Sequence, residues 1–268
     1  MRLNHIAQFD PNQKDGPRSI ERFVEPLRAL PALRYEPLGS FGSGSQAYCV
    51  SRFDFRGGKS SDPIRIALFG GIHGDEPVGP LALAEFLRIL VNEPALSENF
   101  HLQIYPICNP TGFEDNTRNS RSGRDLNREF WKNSSEAEVQ ILERELRSSH
   151  FNGIVQLHSD DTTDGIYGFV RGHTLTENLL RPALRAAGQI LPRNINATID
   201  GFAARDGIIY DLYEGVLAAP AQMDPVPFEI ILETPQKAAM ELQVQAMIVA
   251  LRTILEEYRR LMAFAANI

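Results

Sequence analysis

The order of the chain predicts an α/β protein whose mostly parallel sheet is covered by helices on both sides. Three observations carry this. Short apolar runs alternate with longer amphipathic stretches from residue 47 to residue 262. The chain has 268 residues, 43% of them hydrophobic and 9% aromatic, which suits one sizeable core. Three of the apolar runs end in a histidine or glutamate, and open α/β sheets place their active sites at the carboxyl ends of strands. No repeat, low-complexity tract or linker interrupts the chain. Residues 1–268 are therefore expected to form a single domain, with 1–44 as an N-terminal arm packed on it.

Residues 1–17 are polar, hold Pro11 and Pro17, and suit an arm or a short strand and loop. Ser19 to Leu30 has helical spacing in Ile20, Phe23, Val24 and Leu27, although Pro26 weakens it. Pro37 to Ser45, rich in glycine and serine, predicts a turn or flexible loop. Ala47–Phe55 predicts a strand, Arg56–Pro63 a turn, and a hairpin into a strand at Ile64–Phe69. Val78–Val91 is apolar nearly all round and suits a buried crossover helix. Leu102–Ile107 is the next strand, and Pro110 to Arg128 is irregular. Ser134 or Ser135 can cap a helix running to Ser149, with Glu138 completing a capping box and Val139, Leu142 and Leu146 inside. Strands follow at Gly153–Leu157 and Ile166–Val170. Thr174–Gly188 is a helix with Leu175, Leu179 and Leu184 inward. Asn196–Gly207 has no clear pattern, and Ile208–Val216 holds a strand or a loop. Pro220, Pro225 and Pro227 exclude regular structure. Phe228–Leu232 is a strand, and Lys237–Met262 a long amphipathic helix carrying Leu242, Ala246, Val249, Leu255 and Tyr258.

The formal charge of -7 and the pI of about 5.4 argue against a broad nucleic-acid surface. Cys49 and Cys108 make no disulfide framework and no CxxC. The first residues lack the apolar stretch of a signal peptide, and no run is long and apolar enough to span a bilayer. A cytoplasmic protein with no nucleic-acid or membrane partner is expected. The oligomeric state is not fixed by the sequence.

The polar residues at the strand ends suggest chemistry. Ile64–Phe69 leads into Gly70-Gly-Ile-His73-Gly-Asp-Glu76-Pro77. The glycines give the chain room to turn and bring both side chains to one point. Gly153–Leu157 leads to His158, and Phe228–Leu232 to Glu233. Two histidines and a glutamate form a typical catalytic zinc set, leaving a position for water, whose pKa the ion lowers toward about 7. Glu233 is the candidate general base. The plainer alternatives are a polar loop with an incidental histidine, a satisfied strand-end histidine, and a capping glutamate.

Between Asn116 and Phe130 lie Arg118, Arg121, Arg124 and Arg128, four arginines within eleven positions of an acidic chain. Guanidinium groups bind carboxylates through paired hydrogen bonds, so an anionic substrate group is expected. A solvated basic loop or an RNA-facing patch is the alternative. Only Phe130 and Trp131 lie close by as stacking platforms, which disfavours the patch.

In these pieces the chain resembles the zinc carboxypeptidase superfamily, including its aspartoacylase and succinylglutamate desuccinylase branch. They are Gly71-Ile-His73-Gly-Asp-Glu76, Asn109-Pro-Thr-Gly-Phe113, Asn116-Thr-Arg118, Gly123-Arg-Asp125-Leu-Asn127-Arg128-Glu-Phe130, Leu157-His158-Ser159 and Leu232-Glu233-Thr-Pro235, in the family's order. The resemblance implies a three-layer α/β/α sandwich around a twisted mixed sheet. It implies one Zn2+ per chain on His73, Glu76 and His158, with Asp125 holding His73 from behind. Glu233 would be the general base and Arg118 the oxyanion stabiliser, while Asn127 and Arg128 would grip a substrate carboxylate. Tyr210 and Tyr213 lie where peptide-cleaving members carry a substrate-covering tyrosine, though neither fits the pattern. Asp160, Asp161 and Asp164 predict an acidic pocket edge, and Arg121 and Arg124 add positive charge to the binding loop. The implied activity is hydrolysis of an amide beside a free carboxylate, on a small peptide or peptidoglycan-type peptide trimmed at its C-terminus. An N-acyl amino acid deacylase is the alternative, and a metal-free binding module a remoter one.

Overall fold

A computed structural model of the chain describes residues 17–43, 46–171 and 173–265, the side chains at 43, 173–177 and 265 excepted. Of the expected arm at 1–44, residues 1–16 and 44 lie outside the described residues, and 17–43 carry the first helix and strand. In chain order the elements are α1 (Ile20–Arg28), β1 (Leu33–Ser43), β2 (Gln46–Arg56), β3 (Ile64–Gly70), α2 (Val78–Asn92), β4 (Phe100–Tyr105), α3 (Pro110–Asp115), α4 (Ala137–Ser148), β5 (Gly153–Asp160), β6 (Tyr167–Arg171), α5 (His173–Ala187), β7 (Thr198–Ile199), β8 (Phe202–Arg205), β9 (Ile208–Ile209), β10 (Phe228–Pro235) and α6 (Met240–Ala265).

Among the described residues the strands form one sheet in the order β1-β2-β4-β3-β5-β10-β6-β9-β8-β7. The block β4-β3-β5-β10 is parallel throughout. Its two flanks are antiparallel: β2 runs against β4, and β6 against β10. The sheet is thus mixed: its centre is parallel, and beyond the antiparallel β10–β6 joint the short β6–β9 pair is parallel again.

Strand alternation divides the sheet into two faces. Ile66, Leu68, Leu102, Ile104, Val155, Leu157, Ile230 and Leu232 turn toward α2, α5 and α6 and form the larger core. Ala67, Phe69, Tyr105 and Ile154 turn the other way, onto Val139, Ile141, Leu142 and Leu146 of α4. Helix, sheet and helix make three layers.

Several local expectations are corrected. Pro37–Ser43 is strand, not loop, because β1 pairs with β2 from Leu33 to Ser43. The register shifts between Pro37 and Gly39, and an edge strand tolerates a proline at such a bulge. The hairpin from β2 into β3 does not form: β3 lies between β4 and β5, and β2 bonds β4 instead. The stretch after Pro110 opens with the short helix α3. Asn109 caps it by accepting the Gly112 N–H at 2.9 Å, and Pro110 sits at the first helical position, where no N–H is needed. The capping box at Ser135 and Glu138 is absent, because α4 starts at Ala137 and its N-cap Glu136 makes no side-chain cap bond. Glu138 is buried instead. In α6, Leu242 is exposed and Val249 half-buried, the inner stripe running through Val244, Met247, Leu251 and Leu255. In α5, Leu179 and Leu184 are buried as expected, while the Leu175 side chain lies outside the described residues.

Candidate active site

The site grows from the carboxyl ends of the parallel strands. At the end of β3, Gly71 takes a left-handed φ of 60°, and the chain folds back through His73 and Glu76 into α2. Gly74 presses on α3 so closely that a Cβ there would lie 1.9 Å from the carbonyl carbon of Gly112. Asn109 fastens this contact by donating to the Ile72 and Arg118 carbonyls at 3.2 and 3.4 Å. Motif, helix cap and basic loop are thereby joined around one asparagine.

His73, Glu76 and His158 are 4%, 5% and 2% exposed, and each offers a ligand atom within 4.8 Å of the others'. Both histidines turn Nδ1 toward Glu76, at 2.7 Å for His73 and 3.0 Å for His158. The backbone N–H of Ser159 donates to the same carboxylate at 3.0 Å. Behind His73, Nε2 meets Asp125 Oδ1 at 3.1 Å, which fixes the ring with Nδ1 facing inward. Two imidazole nitrogens and a carboxylate oxygen, converged and dry, fit a zinc ion with an open position.

Electrostatics follow this packing. Burial opposes charge on His73, yet Glu76 and Asp125 outweigh it and raise the imidazole to about 9. Burial would also raise Glu76, but the two histidines hold it well below the usual carboxylate range. His158 is lowered by burial. Asp125, despite its own burial, is held low by His73 and Arg118.

Glu233 reaches the site by register. It pairs with His158 across the parallel β5–β10 ladder and with Tyr167 across the antiparallel β10–β6 ladder. Paired residues project to one face, so His158, Glu233 and Tyr167 stand in a row. Burial, then the nearby Glu76, Asp160 and Asp200, push the Glu233 carboxyl well above its ordinary value.

A cavity of about 320 Å³ opens over this row. Arg118, Asn127, Arg128 and Tyr213 line it with the triad and Glu233. Arg118 donates to Asp125 Oδ2 at 3.2 and 3.0 Å and to Glu76 at 3.4 Å. Asn127 is fixed by accepting the Leu217 N–H on its Oδ1 at 2.9 Å. The Arg128 guanidinium lies 4.1 Å over the ring of Tyr213, whose hydroxyl donates to the Asp200 carbonyl at 3.0 Å.

Tyr210 does not reach the cavity. In the short run from β9, Ile208 and Tyr210 pack into the core beneath the helices, while Ile209 faces the other side. Tyr210 therefore has the wrong parity for the site. Arg121 and Arg124 also point elsewhere: Arg121 pairs with Asp115 and Glu114, and Arg124 with Glu129. Asp160 and Asp161 line the cavity, and Asp164 does not. Tyr167, Asp200 and Gln236 are lining residues that no sequence motif contained, and Asp75 lines the cavity from within the His73–Glu76 motif, where the resemblance assigns it no role. Tyr167 follows directly on an expected strand start, but only the β10–β6 pairing shows which strand it adjoins.

The sequence profile of the succinylglutamate desuccinylase/aspartoacylase catalytic domain matches residues 62–200, just over half of the chain. Carboxypeptidase SOL1 of Arabidopsis thaliana is 34% identical over 104 residues, covering 36% of this chain and 21% of that relative. The chain thus matches about a fifth of that relative's length. A solved structure of a candidate metallopeptidase from Shewanella denitrificans superposes with a TM-score of 0.73 at 24% identity, covering 88% of this chain and 89% of that one. A metallo-carboxypeptidase from Burkholderia cenocepacia gives a TM-score of 0.69 at 16% identity, covering 91% and 70%. These structures share the fold.

Proposed function

The chain belongs to the succinylglutamate desuccinylase/aspartoacylase catalytic-domain family, a branch of the zinc carboxypeptidase superfamily, and from this we propose that it is a zinc-dependent hydrolase of an amide beside a free carboxylate. The favoured substrate is a small peptide cut at its C-terminus, and the whole chain is taken as one cytoplasmic catalytic domain. The observation that carries the proposal is the convergence of the buried His73–Glu76–His158 set, Glu233 in register beside it, and Arg128 across one cavity.

His73, Glu76 and His158 would hold one Zn2+. When bound, such an ion polarises a carbonyl and acidifies water. Glu233 takes the proton of the attacking water on its carboxylate and returns it to the departing amine nitrogen, a double duty that suits a carboxyl pushed upward by its surroundings. Arg118, anchored by Asp125, donates to the carbonyl oxygen as negative charge develops there. Asn127 and Arg128 grip the free carboxylate and orient the scissile bond. Tyr213 supports Arg128 from below.

The matched family profile favours a second reading, the removal of an acyl group from an N-acyl amino acid. Release of C-terminal amino acids should be compared with deacylation of N-acetyl-aspartate and N-succinyl-glutamate, using zinc-loaded protein. Activity confined to the acyl amino acids would overturn the peptidase choice. Glu233→Gln is expected to lower kcat by about 10³-fold or more while the chain keeps about one zinc. A fully active variant would remove Glu233 from the mechanism.

A further inference from the structure

The loop carrying His73 and Glu76 is held from behind by three side chains. Between β3 and α2 the chain is neither strand nor helix, so its buried carbonyls need partners of another kind. Asn109 donates to the Ile72 carbonyl at 3.2 Å, Arg18 Nη1 to the Gly74 carbonyl at 2.7 Å, and Gln236 Nε2 to the Asp75 carbonyl at 3.0 Å. Asn109 caps α3 and Gln236 directly follows β10, so both belong to the carboxyl ends of the strands. Arg18 comes from ahead of α1, 56 residues before Gly74, and of the three it alone is charged.

Arg18 is 3% exposed, and a buried guanidinium is costly unless its donors are used. Its second prong, Nη2, donates to Asn116 Oδ1. One planar group thus spans the loop of His73 and Glu76 and the turn that leads into Arg118. Asn116 is the C-cap of α3, with a left-handed φ of 55°, two residues before Arg118. The backbone of Arg18 is itself fixed, its N–H donating to the Glu114 carbonyl at 2.8 Å. Ser19 caps α1 by accepting the Arg22 N–H at 3.2 Å, which leaves Arg18 just outside the helix. The guanidinium carbon lies 5.5 Å from the ring centre of Phe113. Burial opposes the charge on Arg18, and the neighbouring Asp75 partly offsets it. Docking of α1 does not require this arrangement: Phe23, Val24 and Leu27 are buried in the core, and Arg28 lies over Tyr35 of β1 at 4.3 Å.

We propose that Arg18 is a positioning residue of the active site, whose paired bonds to Gly74 and Asn116 set the spacing between the His73–Glu76 pair and Arg118. The proposal rests on the hydrolase reading above for the role of Arg118. Arg18 does not line the cavity and acts only through the two loops it joins. Lysine cannot replace it, because a single ammonium group has no planar fork to reach two oxygens in fixed directions.

The test compares Arg18→Met, Arg18→Lys and Asn116→Gly with Leu27→Ala, each in the full chain. Leu27 is buried on the inner side of α1, so its truncation loosens the helix alone. Glycine at 116 keeps the left-handed turn and removes the acceptor. Zinc affinity is read by competition with a chromogenic chelator, coordination by the visible absorption of Co2+-loaded protein, and folding by circular dichroism. Arg18→Met and Arg18→Lys are both expected to weaken zinc binding about tenfold or more and to change the cobalt spectrum. Leu27→Ala should stay within about twofold, with the parent spectrum, even if its melting temperature falls as far. At saturating zinc, Asn116→Gly should lower kcat about tenfold with KM unchanged, because only the developing oxyanion needs Arg118 in place. Full zinc affinity in Arg18→Met or Arg18→Lys, an equal loss in Leu27→Ala, or parental kcat in Asn116→Gly would overturn the inference. If Arg18→Met does not fold, Arg18→Lys and Asn116→Gly decide it. A parent chain that binds zinc but hydrolyses neither peptides nor acyl amino acids would overturn the hydrolase reading alone, and the zinc and cobalt measurements would still decide the place of Arg18.

Discussion

Asp125 serves three neighbours with one carboxylate. Its Oδ1 meets His73 Nε2 at 3.1 Å and accepts the Asn127 N–H at 3.0 Å, while Oδ2 takes the Arg118 guanidinium. The proposed metal site, oxyanion donor and carboxylate grip are therefore coupled at one residue. Asp125→Asn is expected to weaken zinc binding about 10- to 100-fold, as measured by competition with a chromogenic chelator. Unchanged zinc affinity would show that the ring of His73 is held by other contacts. At this scale the buried His73–Glu76–His158 group was legible in the sequence because histidine and glutamate recur at the ends of apolar runs. Tyr167 and Asp200 were not legible, since their place depends on which strands become neighbours. Tyr210 and Tyr213 are three residues apart and could be separated only by the parity of β9, a strand two residues long.

The element on which the site depends most is the glycine contact between the loop after β3 and α3. A methyl group at Gly74 would overlap backbone at Gly112, and backbone cannot swing aside as a side chain can. Gly74→Ala should cost on the order of 2–4 kcal/mol by denaturant unfolding and should also displace His73, lowering zinc content. A second test concerns the joint between β2 and β4. Asp54 accepts from Arg52 at 2.8 Å, His101 at 2.9 Å and Gln103 at 3.1 Å. Burial opposes its charge, but these partners outweigh burial and hold its carboxyl below the ordinary value. A depressed carboxylate contributes stability above its unfolded pKa and loses it as pH falls through the folded one. Asp54→Asn should therefore destabilise by about 1–3 kcal/mol at pH 7, and the gap to the parent should narrow below about pH 4. A pH-independent gap would mean that packing, not charge, is lost. The β1–β2 pairing was hidden in the sequence because Pro37 and the glycines after it read as a turn, whereas an edge strand with a register shift accommodates them. The parallel centre was legible from alternation, but the antiparallel flanks follow from pairings between segments distant in the chain.

At the scale of the whole molecule, the strand that completes the sheet is the last strand among the described residues. β10 lies between β5 and β6, so residues 228–235 enter between two strands made long before them. Its side chains reach α5 and α6 on one face and carry Glu233 on the other. A chain stopped at residue 227 keeps His73, Glu76 and His158 but has nothing to join β5 to the β6–β9 flank. Such a chain is expected to show no cooperative unfolding transition in calorimetry and to bind zinc poorly. A sharp transition with full zinc binding would mean that β1–β5 fold and hold metal on their own. The order of synthesis then has a consequence of its own: while the polypeptide is being made, the β6–β9 flank must wait with an open edge for its partner. The row of His158, Glu233 and Tyr167 has no precursor on the growing chain, so whatever reaction the cavity runs is withheld until residues 228–235 have been made and have entered the sheet.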